Sequence, residues 1–298
     1  MDLLKPVISI DAGGTEIKAG ITIGEKILVE HRYPTGREHG PDHARDQILL
    51  AARELKAESP DAVAVGLVVP GLVDAAQQIA VFSENIRWEN IPFGKLLREI
   101  TGLPVGFGHD VRAAGLAEAR YGKSGTVKNS LFLALGTGIA GAMIINGELF
   151  DHPYAGEIGH LDIGSGLACA CGGRDCLETN ATGPSIAAIY NSRSGGHAKN
   201  SKDVLDAALG GDIHAKHVWD EAMSSIAKAL TAYITLLAPD QIILGGGLSK
   251  AGSDLIDPIN AYFDSHLTFQ LRPQLVLASL GDSAGMIGAG IFAQQALL

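Results

Sequence analysis

Gly156-Glu-Ile-Gly-His160-Leu-Asp-Ile-Gly-Ser-Gly-Leu-Ala-Cys169-Ala-Cys171-Gly-Gly-Arg-Asp-Cys176-Leu-Glu178 is the stretch around which the chain is organised. It holds all 3 cysteines of a 298-residue sequence, in the pattern H-x8-C-x-C-x4-C, with Glu157 just ahead of His160 and Glu178 at its end. Three soft sulfurs and one imidazole are the donors of a closed tetrahedral zinc site. Glycines at 164, 166, 172 and 173 let so short a segment fold back around an ion. The competing arrangement is one disulfide and a spare thiol. The odd count opposes it, as does the single residue between Cys169 and Cys171, too few for an unstrained bridge. Structural zinc is the expected state.

Working back from this stretch, an apolar strand over 129–135 turns through Gly136-Thr137-Gly138-Ile139-Ala140-Gly141 into another over 142–145. The same device opens the chain. A β-branched run over 7–10 leads through Asp11-Ala12-Gly13-Gly14-Thr15 into a strand over 17–23, and 26–32 reads as a third. The amides of a glycine hairpin can face an anion. No G-x4-G-K-[ST] is present, so neither turn is a Walker loop. An aspartate ending one strand and a threonine beginning the next indicate a phosphate loop at 11–15, and the echo at 136–138 predicts two similarly folded halves.

Between the hairpins, 43–56 has helical spacing at Ile48, Leu49, Ala52 and Leu55, broken by Ser59-Pro60-Asp61. A buried strand over 62–69 ends at Pro70-Gly71. A loop with Asn85 and Trp88 follows, then a helix over 93–100, a strand over 105–108 and an alanine-rich helix over Asp110–Tyr121. The order β-β-β-α-β-α-β-α predicts a mixed sheet covered by helices. Asp110 stands where a strand meets a helix. Position alone favours capping, although the carboxyl end of a sheet is also where open α/β folds place ligands. Beyond the cysteines come short helices over 183–190 and 204–209, a polar loop over 191–201 and a long helix over Ile213–Leu237, ended by Ala238-Pro239-Asp240. A strand over 241–244 runs into Gly245-Gly246-Gly247, which by itself reads as a tight turn. A helix with Leu255, Ile256, Ile259 and Tyr262, a strand over 274–278 and a helix over 283–298 complete the chain.

Composition narrows the function. With 46% hydrophobic residues and a net charge of −10, the chain is a globular protein disfavoured as a nucleic-acid binder. Its 38 glycines are nearly twice the roughly 7% average share, and they gather in loops between apolar runs, where backbone can approach a ligand. The N-terminus meets Asp11 too soon to be a secretion signal. The longest apolar stretch, 131–145, is short for a bilayer. Sparse cysteine points to a reducing cytoplasm.

Taken in order, D-A-G-G-T at Asp11, L-G-T-G at Leu135, G-E-I-G-H at Gly156, C-A-C-G-G-R-D-C-L-E at Cys169 and L-G-G-G at Leu244 resemble the ROK family (repressors, open reading frames, kinases). The resemblance spans essentially the whole chain, with the E-x-G-H and cysteine segments as its specific part. It implies a two-domain α/β protein of the actin-like ATPase (ribonuclease H-like) fold, with the active site in the interdomain cleft. Residues 1–117 plus 285–298 would form the smaller domain, and 118–284 the larger domain with the zinc loop. It further implies ATP-dependent phosphorylation of a hexose, usually at the 6-hydroxyl, with Asp110 as general base. Gly13, Gly14, Thr15, Thr137 and Gly138 would hold the phosphates, with Mg2+ near Asp11 and Gly245, Gly246 and Gly247 beside the adenosine. Gly71, Asn85, His109, Asp110, Glu157, His160 and Glu178 would ring the sugar. The zinc, on His160, Cys169, Cys171 and Cys176, would brace the loop carrying the glutamates, with one ring nitrogen of His160 on the metal and the other towards the sugar. A homodimer is the family expectation.

Three positions depart from the family pattern. His109 replaces an asparagine, Glu16 replaces the lysine of G-G-T-K with Lys18 as nearest cation, and Arg112 stands where a small or amide residue is common. A carboxylate beside phosphate would repel it, so Glu16 is expected to point away. Among enzymes the alternative is an N-acetylhexosamine kinase. A sugar-responsive transcriptional regulator is weaker still: such members carry a helix-turn-helix ahead of the first loop, and only ten residues precede Asp11 here.

Overall fold

The β-branched N-terminal runs pair into a five-stranded sheet. The computed structural model describes residues 5–123, 125 and 127–298, and its contacts divide the chain into two units, Met1–Gly125 with Asp151–Ala155 and Asp282–Leu298, and Thr126–Phe150 with Gly156–Gly281. In the first unit the elements are β1 (Val7–Ala12), β2 (Glu16–Ile23), β3 (Lys26–Pro34), α1 (Pro41–Glu58), β4 (Val65–Val69), β5 (Leu72–Asp74), β6 (Ile79–Phe82), β7 (Glu89–Ile91), α2 (Phe93–Thr101), β8 (Val105–His109) and α3 (Asp110–Tyr121). The main sheet runs β3-β2-β1-β4-β8. Its hairpin strands are antiparallel, and β1, β4 and β8 are parallel.

Alternation along β1 sorts its two faces. Ile8 and Ile10 join the core with Ile48 and Leu55 of α1 and Leu97 of α2, each such side chain contributing about 1.5–3 kcal/mol on burial. Val7, Ser9 and Asp11 point the other way, towards the C-terminal helix, Ala284–Gln295. That helix lies directly on the sheet because Gly66 and Gly106 carry no side chain; a Cβ on either would run into the carbonyl oxygens of Ala289 and Phe292. Beneath it, the hydroxyls of Ser9 and Thr22 satisfy one another at 2.7 Å. α3 crosses residue 117 without a break and packs along the same helix.

In the second unit follow β9 (Ser130–Leu135), β10 (Ile139–Ile145), β11 (Glu148–Leu149), α4 (Glu178–Ala181), α5 (Gly183–Ser194), α6 (Ser201–Leu209), α7 (Ile213–Leu237), β12 (Gln241–Gly245), α8 (Ser253–His266) and β13 (Gln274–Leu277). The order β11-β10-β9-β12-β13, three antiparallel strands then two parallel to β9, repeats that of the first unit. α7 starts at Asp212, whose Oδ1 accepts from the amides of His214 and Ala215. It buries Val218, Met223, Ile226 and Leu230 in one core with Leu131, Leu133, Ile242 and Leu244. Among the described residues no helix is long and apolar enough to cross a membrane.

Two local expectations change. The loop expected around Asn85 and Trp88 carries a three-stranded sheet, β5-β6-β7. Its strands of three or four residues are too short to leave a periodic signal. The loop expected over 191–201 begins later, since α5 runs to Ser194 and ends at Gly195, whose left-handed φ of 70° closes it.

Candidate active site

β1, β4 and β8 place Asp11, Gly71 and Asp110 at or just beyond their carboxyl ends. Asp110 is the first residue of α3, and the N-cap is His109. The capping role that position suggested for Asp110 thus belongs to its neighbour. The Val111 amide donates to Asp110 Oδ1 at 2.6 Å and lies 3.1 Å from His109 Nδ1, which is itself 3.1 Å from Asp110 Oδ1. One oxygen of Asp110 is so held, and the other has no hydrogen-bond partner among the described residues. Burial, then the Asp110 carboxylate, push the Asp11 carboxyl up to about 7, with Lys18 opposing. Two carboxylates crowded at the ends of β1 and β8, the two strands that flank β4, are a donor set that a divalent cation would relieve.

In the first hairpin the Gly13 amide donates to Glu16 O at 2.9 Å, while the Gly14 and Thr15 amides meet no backbone acceptor among the described residues. Thr35, at the end of β3, clasps the turn, its hydroxyl donating to Gly13 O at 2.7 Å and its amide to Thr15 O at 3.0 Å. Glu16 turns aside as expected, accepting from Arg32 at 2.8 Å. Asn85 stands beside the turn, its Cβ 3.8 Å from where a Cβ on Gly14 would lie. Gly71 takes a φ of 95° and packs on the Phe82–Ser83 backbone, where a side chain has no room.

In the second unit the four donor atoms of His160, Cys169, Cys171 and Cys176 lie within 4.8 Å of one another. The cysteines are free. His160 Nδ1 is 3.8 Å from Cys169 Sγ, and Cys171 Sγ is 3.7 Å from Cys176 Sγ. Ligands at about 2.3 Å on a tetrahedral ion stand about 3.8 Å apart, so the cluster fits such an ion and the donor set suits zinc. Nδ1 faces the sulfurs, which leaves Nε2 for another partner. Burial pushes the Cys176 thiol up to about 12, whereas the Gly173 amide, then Cys169 and Cys176, pull Cys171 down.

Around this cluster the unit assembles its remaining candidates. The second hairpin closes through Gly136, whose amide donates to Gly138 O at 3.0 Å. Ile139 N–H donates to Glu178 Oε1 at 2.6 Å, and a Cβ on Gly138 would stand 2.9 Å from that oxygen. Gly159 packs on the Ile139 carbonyl and Glu178, which sets the turn carrying Glu157 and His160 against both. Glu157 is exposed, and its charge reaches α7, where burial and then Glu157 raise the Tyr233 pKa. Gly246, at φ 80°, lies against the Leu135 backbone, so the triple glycine adjoins the hairpin with Thr137 at its tip. In the first unit Asp110 thus lies by His109 and Asp11, and Asn85 by Gly14; in the second Glu178 lies by Gly138, Ile139 and Gly159.

Two ties escaped the sequence reading. The bond from Ile139 to Glu178 spans 39 positions and leaves no local signal. Arg112 is 3% exposed and pairs with Asp151 at 3.0 Å while donating to the His152 carbonyl, which anchors residues 151–155 to the first unit. That is its role, and nothing adjacent in sequence announces it.

Two sheets of one mixed order, each closed by a glycine hairpin, define an α/β protein of the actin-like ATPase fold. The chain belongs to the ROK family, whose profile matches residues 7–296. It is 31% identical to a glucokinase of Halalkalibacterium halodurans, over 97% of this chain and 94% of that protein. The structure of a ROK hexokinase from Thermus thermophilus superposes with a TM-score of 0.86 at 28% identity, covering 98% of this chain and 99% of the other. That of a ROK family glucokinase from Streptomyces griseus, in complex with glucose and AMPPNP, gives 0.79 at 29% identity, covering 97% and 99%.

Proposed function

We propose that this chain transfers the γ-phosphoryl group of ATP to the 6-hydroxyl of glucose or a related hexose, with Asp110 as general base. The protein is an ATP-dependent sugar kinase by its family and by its glucokinase relatives. The observation that carries the Asp110 assignment is its setting. It sits at a strand-to-helix junction beside Asp11, with one oxygen held by the Val111 amide and the other available to a hydroxyl. A carboxylate suffices as base when the proton leaves late, as the phosphoryl group departs, and most of the acceleration is then positioning and charge neutralisation.

In this reading Asp110, Gly71, Asn85, His109, Glu157, His160 and Glu178 serve the sugar, Asp11 with Gly13, Gly14, Thr15, Thr137 and Gly138 the phosphates, and Gly245, Gly246 and Gly247 the adenosine. Mg2+ bound near Asp11 would neutralise charge on the phosphates. Zinc on His160, Cys169, Cys171 and Cys176 would do no chemistry, its part being to fix the loop that carries the glutamates. The two contact units are proposed as the two domains, and a cytoplasmic homodimer that meets neither nucleic acid nor membrane completes the reading. A coupled ADP-release screen over glucose, mannose, fructose, N-acetylglucosamine and N-acetylmannosamine tests it. Turnover is expected on a 6-hydroxyl hexose. Turnover confined to the N-acetyl sugars would replace glucose with that class, and none at all would overturn the assignment.

A further inference from the structure

The first hairpin is short of positive charge. Glu16 brings a carboxylate to it, and Arg32 and Lys18 of the neighbouring strands are engaged elsewhere. Arg32 pairs with Glu16 and Glu30 at 2.8 Å each, and Lys18 Nζ donates to the Asp282 carbonyl at 2.8 Å. Arg37 differs. Its Nη1 lies 3.8 Å from where a Cβ on Gly14 would stand, and no carboxylate pairs with its guanidinium among the described residues. Adjacent Glu38 turns instead to His39, at 3.5 Å. The backbone leading to Arg37 is fixed, because Thr35 is bonded to both Gly13 and Thr15 and is fully buried. Gly36 then takes a left-handed φ of 63° against the His43 ring, where no side chain fits. Since Gly14 has no side chain, a slot remains between the Arg37 guanidinium and Asn85, each 3.8 Å from the missing Cβ and bordered by the Gly14 and Thr15 amides, which meet no acceptor among the described residues.

We propose that Arg37 binds the transferring phosphoryl group at this slot and supplies the charge that Glu16 withholds. This rests on the kinase reading above. A planar guanidinium beside these amides suits two of the three terminal oxygens of a γ-phosphate. The contact is to the γ-phosphate, so nucleotides ending at the β-phosphate do not make it.

The test is calorimetric binding of a non-hydrolysable ATP analogue, of ADP and of the hexose to wild type, Arg37→Ala and Arg37→Lys, with steady-state turnover alongside. Removing one charge-assisted contact is expected to weaken the ATP analogue about tenfold and to lower kcat. Hexose and ADP affinity and the melting temperature should stay unchanged, with partial recovery in Arg37→Lys. Glu16→Lys in the Arg37→Ala background is expected to restore part of the loss. Equal weakening of ADP and the ATP analogue, or no weakening of either, would overturn the proposal. If wild type phosphorylates a hexose and Arg37→Ala matches it, the proposal alone falls. If wild type binds no ATP analogue, the kinase reading falls with it.

Discussion

Residues 12–16 and 135–139 close two sheets of the same strand order, yet their turns differ in length and in what surrounds them. The first pairs Gly13 with Glu16 and follows a strand with Asp11 as its last residue but one, its carboxyl buried and crowded by Asp110. The second pairs Gly136 with Gly138 around Thr137 and follows a strand ending in Leu135. Its carboxylate, Glu178, arrives from α4 and accepts from the Ile139 amide. One unit therefore builds its charge in at strand ends, and the other imports it on a helix that begins two residues after Cys176. A duplicated scaffold fixes where backbone amides fall, and it leaves each copy free to acquire its acids by a different route.

The sharpest way to break this comparison is at Asp110. Asp110→Asn is expected to lower kcat by ~10²–10⁴ while hexose binding, measured by calorimetry, persists; near wild-type turnover would remove the base from the first unit. Next comes the imported acid. Cys171→Ser, or treatment with a chelator, is expected to release one zinc per chain and weaken hexose binding by roughly 10–100-fold. A metal-free preparation of full activity would refute the brace.

A smaller effect probes the scaffold itself. Gly66→Ala places a methyl against the Ala289 carbonyl and should destabilise the first unit by ~1–3 kcal/mol, read as a lower melting temperature. An unchanged transition would show that the C-terminal helix can retreat without cost.

The mildest test concerns pH. A carboxyl raised from its ordinary 3.8 to about 7 stabilises the fold fully below the ordinary value and loses that contribution as pH climbs through 7. Asp11→Asn should therefore raise the melting temperature of metal-free protein more at pH 8 than at pH 5. Mg2+ should stabilise wild type at pH 8 but not the variant. Equal shifts at both pH values would deny that burial, with Asp110 beside it, raises the Asp11 carboxyl.

Much of this was legible because local physics announces it. The two apolar-strand, glycine-turn, apolar-strand repeats predicted two halves of one plan, and the sheets share one order. The Cys3His spacing predicted a cluster, and its donor atoms converge within 4.8 Å. The sheet formed by β5, β6 and β7 was not legible, because strands of three and four residues leave no period to read. Nor was the role of Arg112, whose partner lies some forty positions away in a segment flanked on both sides by the other unit.

The sequence by itself determined which residue types are present to do chemistry, and it placed them at turns and strand ends through glycine, proline and hydrophobic period. Tertiary structure alone decided which charges are spent on neighbours. Glu16 is absorbed by Arg32, Lys18 by the Asp282 carbonyl and one oxygen of Glu178 by Ile139, whereas Arg37, beside Gly14, pairs with no carboxylate among the described residues. A side chain's charge is written in the sequence. Its availability depends on distances of a few ångströms between groups far apart in the chain, and only the fold sets those.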